Sequence, residues 1–247
     1  MASSQEKGVL NFIAEFSKMN TTVAGFGITY NPPERLRLSN LQDSLSRATG
    51  LISELNMAYS ANKNAISVRS AAYKTLPSLV TRVVNFFAIT SADSALKANV
   101  KSAAAKLHPS SKKSKSTQQA TSTMTTDENG TTETPKTHST AQTGYDNKLG
   151  HLRLIIALVS TESTYSPAET EITIASLNSF ASELEHCNQL VMETQSRLYS
   201  IRKQRNELLY GKKNSLAVLG REVKQYVKAA FTATSKEAKA INSVSLS

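Results

Sequence analysis

The sequence predicts an all-α fold, in which two tandem, pseudo-symmetric helical repeats form an elongated antiparallel helical bundle. Three observations favour this fold class. The composition, with 6% aromatic residues, no Trp and nine Gly in 247 residues, is typical of Ala-, Leu- and Ser-rich helices rather than of strand-rich folds. Two long segments have apolar residues at helical spacing. Similar five-residue patterns precede the two segments.

The repeated patterns lie at residues 30–34 and 165–169, which read Tyr-Asn-Pro-Pro-Glu and Tyr-Ser-Pro-Ala-Glu. Asn31 and Ser166 belong to the residue types that cap helix N-termini, and Pro is tolerated directly after a cap because no N–H is needed there. The Glu three residues after each cap can accept a hydrogen bond from the N–H of the capping residue. A helix is therefore predicted to begin at each pattern.

After each start, apolar residues recur at alternating spacings of three and four, which keeps them on one helix face. In the first half this stripe consists of Leu38, Leu41, Leu45, Ala48, Ile52, Leu55, Tyr59, Asn62, Ile66, Arg69 and Tyr73. In the second half it consists of Leu177, Phe180, Leu184, Cys187, Val191, Thr194, Leu198, Ile201, Arg205 and Leu208. The second stripe predicts a helix over about 168–210, and Arg69 and Arg205 occupy equivalent places in the two stripes.

Residues that break helices follow both stripes, namely Pro77 in the first half and Gly211 in the second. Pro lacks an N–H and clashes with the preceding turn, whereas Gly commonly ends helices. The long helices are therefore predicted to end or kink at these positions. Shorter apolar helices are predicted to follow over 79–88 and 216–231.

Capping-box patterns then occur at residues 90–93, Thr-Ser-Ala-Asp, and at 234–237, Thr-Ser-Lys-Glu. They predict two last short helices, which end near Val100 and Val244. Amphipathic segments at 9–23 and 149–159 precede the two Tyr-x-Pro-x-Glu patterns. Each repeat is thus predicted to contain a short, a long, a medium and a short helix.

The two halves are separated by residues 108–148, which are mostly Ser, Thr, Lys and Gln. A stretch with so little to bury cannot offset its ordering entropy, so the sequence predicts a disordered linker between helical repeat 1 (1–107) and helical repeat 2 (149–247). A helix with one apolar stripe needs a packing partner. The two repeats are therefore expected to pack together, within one chain or by exchange between chains.

The Tyr-x-Pro-x-Glu start, the long Arg-containing helix and the Thr-Ser-x-Glu-type ending resemble an uncharacterised group of tandem-repeat helical proteins from the Bacteroidota. The resemblance covers both halves of the chain and leaves out the linker. It implies a helical repeat fold. It implies no activity, because none is known for that group.

The first residues contain no recognisable secretory signal, and the longest apolar runs, 79–89 and 154–159, are too short to span a bilayer. A cytoplasmic protein without a membrane span is therefore expected. The single cysteine, Cys187, rules out an internal disulfide framework. A membrane-active helical protein would need a longer apolar hairpin than either run provides.

Motifs for phosphate-binding loops, dinucleotide binding, nucleophile elbows and zinc proteases do not occur in the sequence. Glu183 and His186 match the Glu-x-x-His element of di-iron bundles, but the equivalent positions in the first half are Arg47 and Gly50. Adjacent His186 and Cys187 point about 100° apart on a helix, which disfavours a catalytic pair. No catalytic residue, metal or cofactor is therefore predicted.

The net charge is +10 and the pI is about 9.6. Residues 1–106, 107–148 and 149–247 carry +6, +1 and +3, so the excess is spread along the chain. The densest cluster of basic residues contains Arg197, Arg202, Lys203, Arg205, Lys212 and Lys213. Phosphate contacts by such residues would give salt-dependent binding, although flanking Glu193 and Glu207 favour a solvated helix face.

Two functional hypotheses follow. The first is a non-enzymatic helical interaction or assembly protein, which is expected to self-associate, because every repeated feature serves helix geometry. The second is a basic helical protein that binds nucleic acid or another polyanion nonspecifically. Its candidate binding residues are Arg197, Arg202, Lys203, Lys212 and Lys213.

Overall fold

The computed structural model describes residues 4–107 and 144–246, which form helices and turns without a β-strand in those ranges. The α-helices are α1 (Ser4–Ala24), α2 (Leu38–Ala88), α3 (Ser94–Ala105), α4 (Tyr145–Ser160), α5 (Ile174–Tyr210), α6 (Leu216–Phe231) and α7 (Lys236–Asn242). Short 3₁₀ turns lie at Gly27–Thr29, Glu34–Leu36 and Thr170–Ile172. The predicted all-α class is confirmed.

The chain divides into two compact units. Unit 1 comprises Met1–Ala65 and Val191–Ser247, and unit 2 comprises Ile66–Leu190. Helices α2 and α5 contribute residues to both units. Neither unit therefore coincides with one of the two sequence ranges predicted as repeats, 1–107 and 149–247.

Most of the predicted linker, residues 108–143, lies outside the described residues. Its last part differs from the prediction, because α4 begins at Tyr145 and residues 145–148 form the first turn of that helix. The Tyr145 ring packs edge-on against Tyr73, with 4.7 Å between ring centroids. This contact stabilises the helical turn, and the local composition gives no sign of it.

Unit 1 has its main core among α1, α6, α7 and the portions of α2 and α5 that belong to this unit. Its largest fully buried side chains are Phe12, Phe16, Met19, Leu41, Leu209 and Leu216. Burying one such side chain stabilises a fold by about 1.5–3 kcal/mol. A smaller cluster joins Leu55 and Ala58 of α2 to Leu198 and Ile201 of α5.

The core of unit 2 lies among α3, α4 and the remaining portions of α2 and α5. Its largest fully buried side chains are Leu76, Phe87, Leu152, Ile155, Leu177 and Leu184. Polar contacts join the helices as well: the Asn188 Nδ2 donates to the Tyr73 hydroxyl at 3.0 Å and to Asp146 Oδ1 at 2.9 Å. The Arg69 guanidinium lies 4.1 Å from the Tyr145 ring centroid.

The predicted helix starts at the two Tyr-x-Pro-x-Glu patterns are wrong, because α2 begins at Leu38 and α5 begins at Ile174. In both patterns the backbone stays non-helical beyond the proline, and in the second one Glu169 has a φ of −74° and a ψ of 111°. Pro33 itself has a ψ of 150°, which is not helical. The backbone of these patterns therefore continues into a 3₁₀ turn instead of a cap.

The tyrosines of the two patterns make equivalent hydrogen bonds. The Tyr30 hydroxyl donates to the backbone oxygen of Leu36 at 2.9 Å, and the Tyr165 hydroxyl donates to that of Ile172 at 2.7 Å. Each bond closes the chain around the proline-containing segment and its 3₁₀ turn. The tyrosines therefore have a structural role in shaping the approach to α2 and α5.

The helix end predicted at Pro77 is also wrong, because α2 continues through it to Ala88. Proline provides no N–H for the carbonyl of Tyr73, four residues earlier. Leu76 and Val80, which flank Pro77, are buried in the core of unit 2. Tertiary burial on both sides keeps the helix continuous despite the lost bond.

The predicted end at Gly211 is confirmed, because α5 ends at Tyr210 and α6 spans Leu216–Phe231 as expected. A Cβ at residue 211 would overlap the backbone oxygen of Glu207 and lie 2.6 Å from its Oε1. Only glycine fits there without a shift of the chain. The turn after α5 therefore depends on Gly211.

The last short helices occur where predicted, with different caps and ends. Asp93, not Thr90, caps α3 by accepting the Leu96 N–H at 2.6 Å. Ser235 caps α7 by accepting the Ala238 N–H at 3.0 Å. Helix α3 extends past the predicted end at Val100, and α7 ends just before Val244.

The stripe predicted on α5 is confirmed, since each of its members is buried or half-buried. The stripe on α2 is correct only in part. Tyr59 and Ile66 are exposed, and Ala58 and Ala65, one residue earlier, are buried in their place. The strict repeat therefore holds along α5 but not through the middle of α2.

Candidate functional site

The two units differ strongly in charge. Unit 1 contains 17 Lys and Arg against 9 Asp and Glu, a net charge of +8, whereas unit 2 contains 12 against 10, a net charge of +2. The excess looks evenly spread when the sequence is divided into consecutive segments. Folding concentrates it, because unit 1 combines the first 65 residues with the basic last 57.

Unit 1 contains an open cleft of about 690 Å³ between α2, α5 and the loop that follows α5. Its lining residues are Arg47 and Leu51 from α2, Ser200, Lys203, Gln204, Glu207 and Leu208 from α5, and Lys213 and Asn214 from the loop. The α5 residues follow spacings of three and four, so they lie on one side of the helix. Helical periodicity thus places several polar side chains along one wall.

The loop after α5 brings two more polar residues, Lys213 and Asn214, to the cleft. Gly211 permits the turn, and Asn214 has a positive φ of 54°, a conformation that Asn adopts more readily than most residues. Ser215 is 1% exposed and caps α6 by accepting the Val218 N–H at 3.3 Å. The loop is therefore fixed at both ends.

A second depression of about 280 Å³ shares Arg47 and Asn214 with the cleft. It also includes Arg35, whose guanidinium forms an ion pair with Glu222 and lies 3.4 Å from Asn214 Oδ1. Asp43 is its acidic member. The two depressions adjoin at Arg47 and Asn214 and together make up the unit 1 cleft.

Cations in the cleft outnumber carboxylates. Arg35, Arg47, Lys203 and Lys213 face only Asp43 and Glu207 among the lining residues. Within the part of the chain that the structure describes, no ion pair joins Arg47, Lys203 or Lys213 to a carboxylate. Three cations are therefore available to an anionic ligand.

The structure brings only some of the predicted basic residues together. Lys203 and Lys213 line the cleft, whereas Arg197, Arg202 and Lys212 are exposed on unit 1 outside its lining. The half-buried Arg205 donates to the side-chain oxygen of Asn206 at 2.9 Å. Arg47 is absent from the predicted set because nothing in its local sequence links it to residues more than 150 positions away.

The residues weighed for catalysis or metal binding lie in unit 2 on α5. Glu183 and His186 are exposed, and Arg153 pairs with Glu185 at 2.7 Å. Burial raises the pKa of the Cys187 thiol, with Glu183 adding to the effect, so the reactive thiolate is disfavoured. No group of three metal-ligating side chains occurs among the described residues. Two of the other histidines, His108 and His138, lie outside the described residues.

In the two described ranges, none of the helices combines the length and the apolar character needed to cross a membrane.

Comparison with known proteins found no matching family model, no matching curated protein and no matching solved structure. The resemblance to the group from the Bacteroidota thus has no support from a family model.

Proposed function

We propose that this protein is a non-enzymatic binding protein that holds a linear anionic polymer in the unit 1 cleft. The observation that carries the proposal is the group of three lining cations, Arg47, Lys203 and Lys213, that have no carboxylate partner among the described residues. Cations left unpaired along a groove attract phosphate-bearing polymers and release their counterions. The net charge of +8 on unit 1 adds long-range attraction.

The presence of two adjoining depressions favours a polymer over a small anion. Its two depressions share Arg47 and Asn214, and cations are present in both. A single phosphate would meet one or two of these groups, whereas a chain of phosphates can contact each in turn. Ser200 and Gln204 supply further hydrogen-bonding groups along the α5 wall.

A binding role also fits the chemistry of the lining. Among the described residues that line the cleft there is no His or Cys, and the two carboxylates, Asp43 and Glu207, lie in different depressions. Glu207 extends toward Gly211, which places its carboxylate at the loop. We therefore propose affinity without turnover.

We further propose that the two halves arose as tandem repeats whose long helices run antiparallel. The equivalent bonds of Tyr30 and Tyr165 support the repeat. For the helix direction, the support comes from contacts within each unit. In unit 1, the Thr194 hydroxyl donates a hydrogen bond to Asn62 Oδ1, and Leu55 belongs to the same buried cluster as Ile201. Residue numbers along α2 therefore fall where those along α5 rise.

The same order holds in unit 2. Tyr73 bonds Asn188, and farther along α2 Arg82 pairs with Glu171 at 2.6 Å. Rising α2 numbers again meet falling numbers, here in α5 and in the 3₁₀ turn that precedes it and contains Glu171, which is the order expected of antiparallel neighbours.

Self-association is a second candidate function, supported by large apolar side chains left exposed on the long helices. In unit 1, Met57 is 61% exposed and Met192 is 67% exposed. Exposed apolar side chains of this size favour burial against another protein surface. A salt-insensitive oligomer in size exclusion with light scattering, reduced by Met57→Glu or Met192→Glu, would support this function.

The experiment that tests polymer binding measures the affinity of the full chain for inorganic polyphosphate as a function of salt. The triple substitution Arg47→Gln, Lys203→Gln and Lys213→Gln should weaken binding strongly. It should also reduce the slope of log affinity against log salt by about two, because each lost phosphate contact removes about 0.7 from a single-strand slope.

A matched control removes three charges from unit 1 outside the cleft lining, by Lys228→Gln, Lys236→Gln and Lys239→Gln. These lysines are exposed on α6 and α7. Equal losses in the two triple variants would contradict a cleft site, because they would indicate attraction to overall charge alone. Absence of polyphosphate binding by the unsubstituted chain would sink the proposal.

A further inference from the structure

An exposed aromatic ring adjoins the unit 1 cleft. Tyr199 is 72% exposed and directly precedes Ser200, which lines the cleft. Lys203 follows Tyr199 by four residues, and residues four apart are neighbours on a helix surface. A largely uncovered ring therefore lies next to a lining cation on the same side of α5.

We infer that the anionic polymer in this cleft is a single-stranded nucleic acid, with Tyr199 stacking on a base and Lys203 and Arg47 contacting backbone phosphates. The inference rests on the proposed function and names its ligand class. Alternating cations and aromatic rings are the features by which proteins hold single strands, because the cations track the backbone and the rings take bases of any sequence.

The shape of the site favours a single strand over a duplex. In a duplex, the faces of the bases are covered by their neighbours, so an exposed ring finds no surface for stacking. Proteins that read duplex DNA commonly insert a protruding helix or ribbon into a groove. Here α5 forms one wall of a concave cleft, in which Arg47 of α2 faces the same space as Lys203 and Gln204.

Polar side chains beside the cations could receive the strand without selecting a sequence. Ser200, Gln204 and Asn214 line the same cleft and offer both donors and acceptors. Gln204 Nε2 already donates to Ser200 Oγ at 3.3 Å, and Asn214 Oδ1 accepts from Arg35 at 3.4 Å, so part of this hydrogen-bonding capacity is used within the protein. The inference therefore includes weak sequence preference.

The test is fluorescence anisotropy of a labelled random-sequence single-stranded oligonucleotide with the full chain, repeated with the same sequence as a duplex. Tyr199→Ala should weaken single-strand binding by roughly 5- to 100-fold, the range for losing one base–aromatic stack. Tyr199→Phe should retain binding within about twofold, because the ring provides the stacking. Tyr199→Ala should leave polyphosphate binding unchanged.

Tyr59→Ala is the matched control. Tyr59 is also an exposed tyrosine of unit 1, at 45%, but it does not line the cleft, and its ring centroid lies 5.6 Å from Lys63 Nζ. Single-strand binding should survive this substitution within about twofold. An equal loss in Tyr59→Ala and Tyr199→Ala would overturn the inference.

Two further outcomes separate this inference from the proposed function. Polyphosphate binding that depends on Arg47 and Lys203, together with single-strand binding that Tyr199→Ala leaves unchanged, overturns the inference and keeps the function. A duplex bound as tightly as the single strand has the same consequence. If the unsubstituted chain binds neither polyphosphate nor the oligonucleotide, the inference and the proposed function are both overturned.

Discussion

The Tyr165 hydroxyl donates a 2.7 Å hydrogen bond to the backbone oxygen of Ile172, across the proline-containing segment that leads into α5. The Tyr165 ring packs edge-on against Phe86 with 5.4 Å between centroids, and its residue is 5% exposed. One side chain thus closes the loop through its hydroxyl and joins it to α2 through its ring.

This burial gives the fold an alkaline pH dependence. Burial raises the pKa of Tyr165 from 10.0 to about 12, because the phenolate would lose its solvation. The resulting stability is fully present below pH 10 and is lost as the pH rises to about 12, since the unfolded chain releases the proton first. Urea unfolding across this interval should show a falling free energy of unfolding.

Tyr165→Phe separates the titration from other alkaline effects. The variant should lose about 0.5–1.5 kcal/mol near neutral pH, the usual net value of one hydrogen bond. It should also decline less steeply between pH 10 and pH 12, because the buried phenol is gone. Identical slopes for the variant and the natural sequence would contradict the assignment.

Gly211→Ala should destabilise the protein by about 1–3 kcal/mol, because the new Cβ would overlap the backbone oxygen of Glu207 and force the turn to move. Thermal unfolding measures the effect. Gly50→Ala is the control, since Gly50 lies exposed within α2 with no neighbouring atom within 4 Å of an added Cβ. It should stabilise the helix by up to about 1 kcal/mol. Similar changes of either sign in both variants would refute the steric argument.

Thr232→Gly should increase stability by about 1 kcal/mol, because Thr232 has φ 65° and ψ 153°, a backbone region that costs a β-branched residue strain. The gain is the released strain less the added flexibility of the unfolded chain. Ala233→Gly, at the next exposed position, should instead lower stability. Chemical denaturation of the two variants distinguishes strain relief from a general effect of glycine.

Pro77→Ala should stabilise α2 by about 1–3 kcal/mol, since alanine restores an N–H for the Tyr73 carbonyl and removes a clash. The free energy of unfolding from urea titration measures this gain. Slower amide exchange near residue 77 would accompany it. A less stable variant would mean that the half-buried proline ring contributes more through packing than it costs the helix.

The long α5 stripe and the end at Gly211 were predictable, because helical periodicity and helix termination are local properties of the chain. The errors at Asn31, Ser166 and Pro77 have different origins. At the first two, the backbone stays non-helical beyond the proline, at Pro33 and at Glu169, and turns only in the 3₁₀ helix that follows. At Pro77, core packing outweighed a local helix breaker, and no neighbouring residue predicts that.

Only two of the four cations that line the cleft could be predicted from the sequence. Lys203 and Lys213 belong to a basic cluster visible in the sequence, and the predicted helix end at Gly211 lies between them. Arg47 and Arg35 join them only through folding. Arg197 and Arg202 belong to the same sequence cluster but do not line the cleft, because each step along a helix rotates the side chain by about 100°. Lys212, in the loop after α5, does not line it either.

By itself, the sequence determined that the chain is helical, where α5 ends and where α6 and the short last helices lie, because these features depend on spacing, caps and glycine within a few residues. Tertiary structure alone decided that residues 1–65 and 191–247 form one unit with a net charge of +8. It also decided that Arg47 faces Lys203 across a cleft. Such contacts depend on which helix faces bury each other, and that is a property of the whole core rather than of any segment.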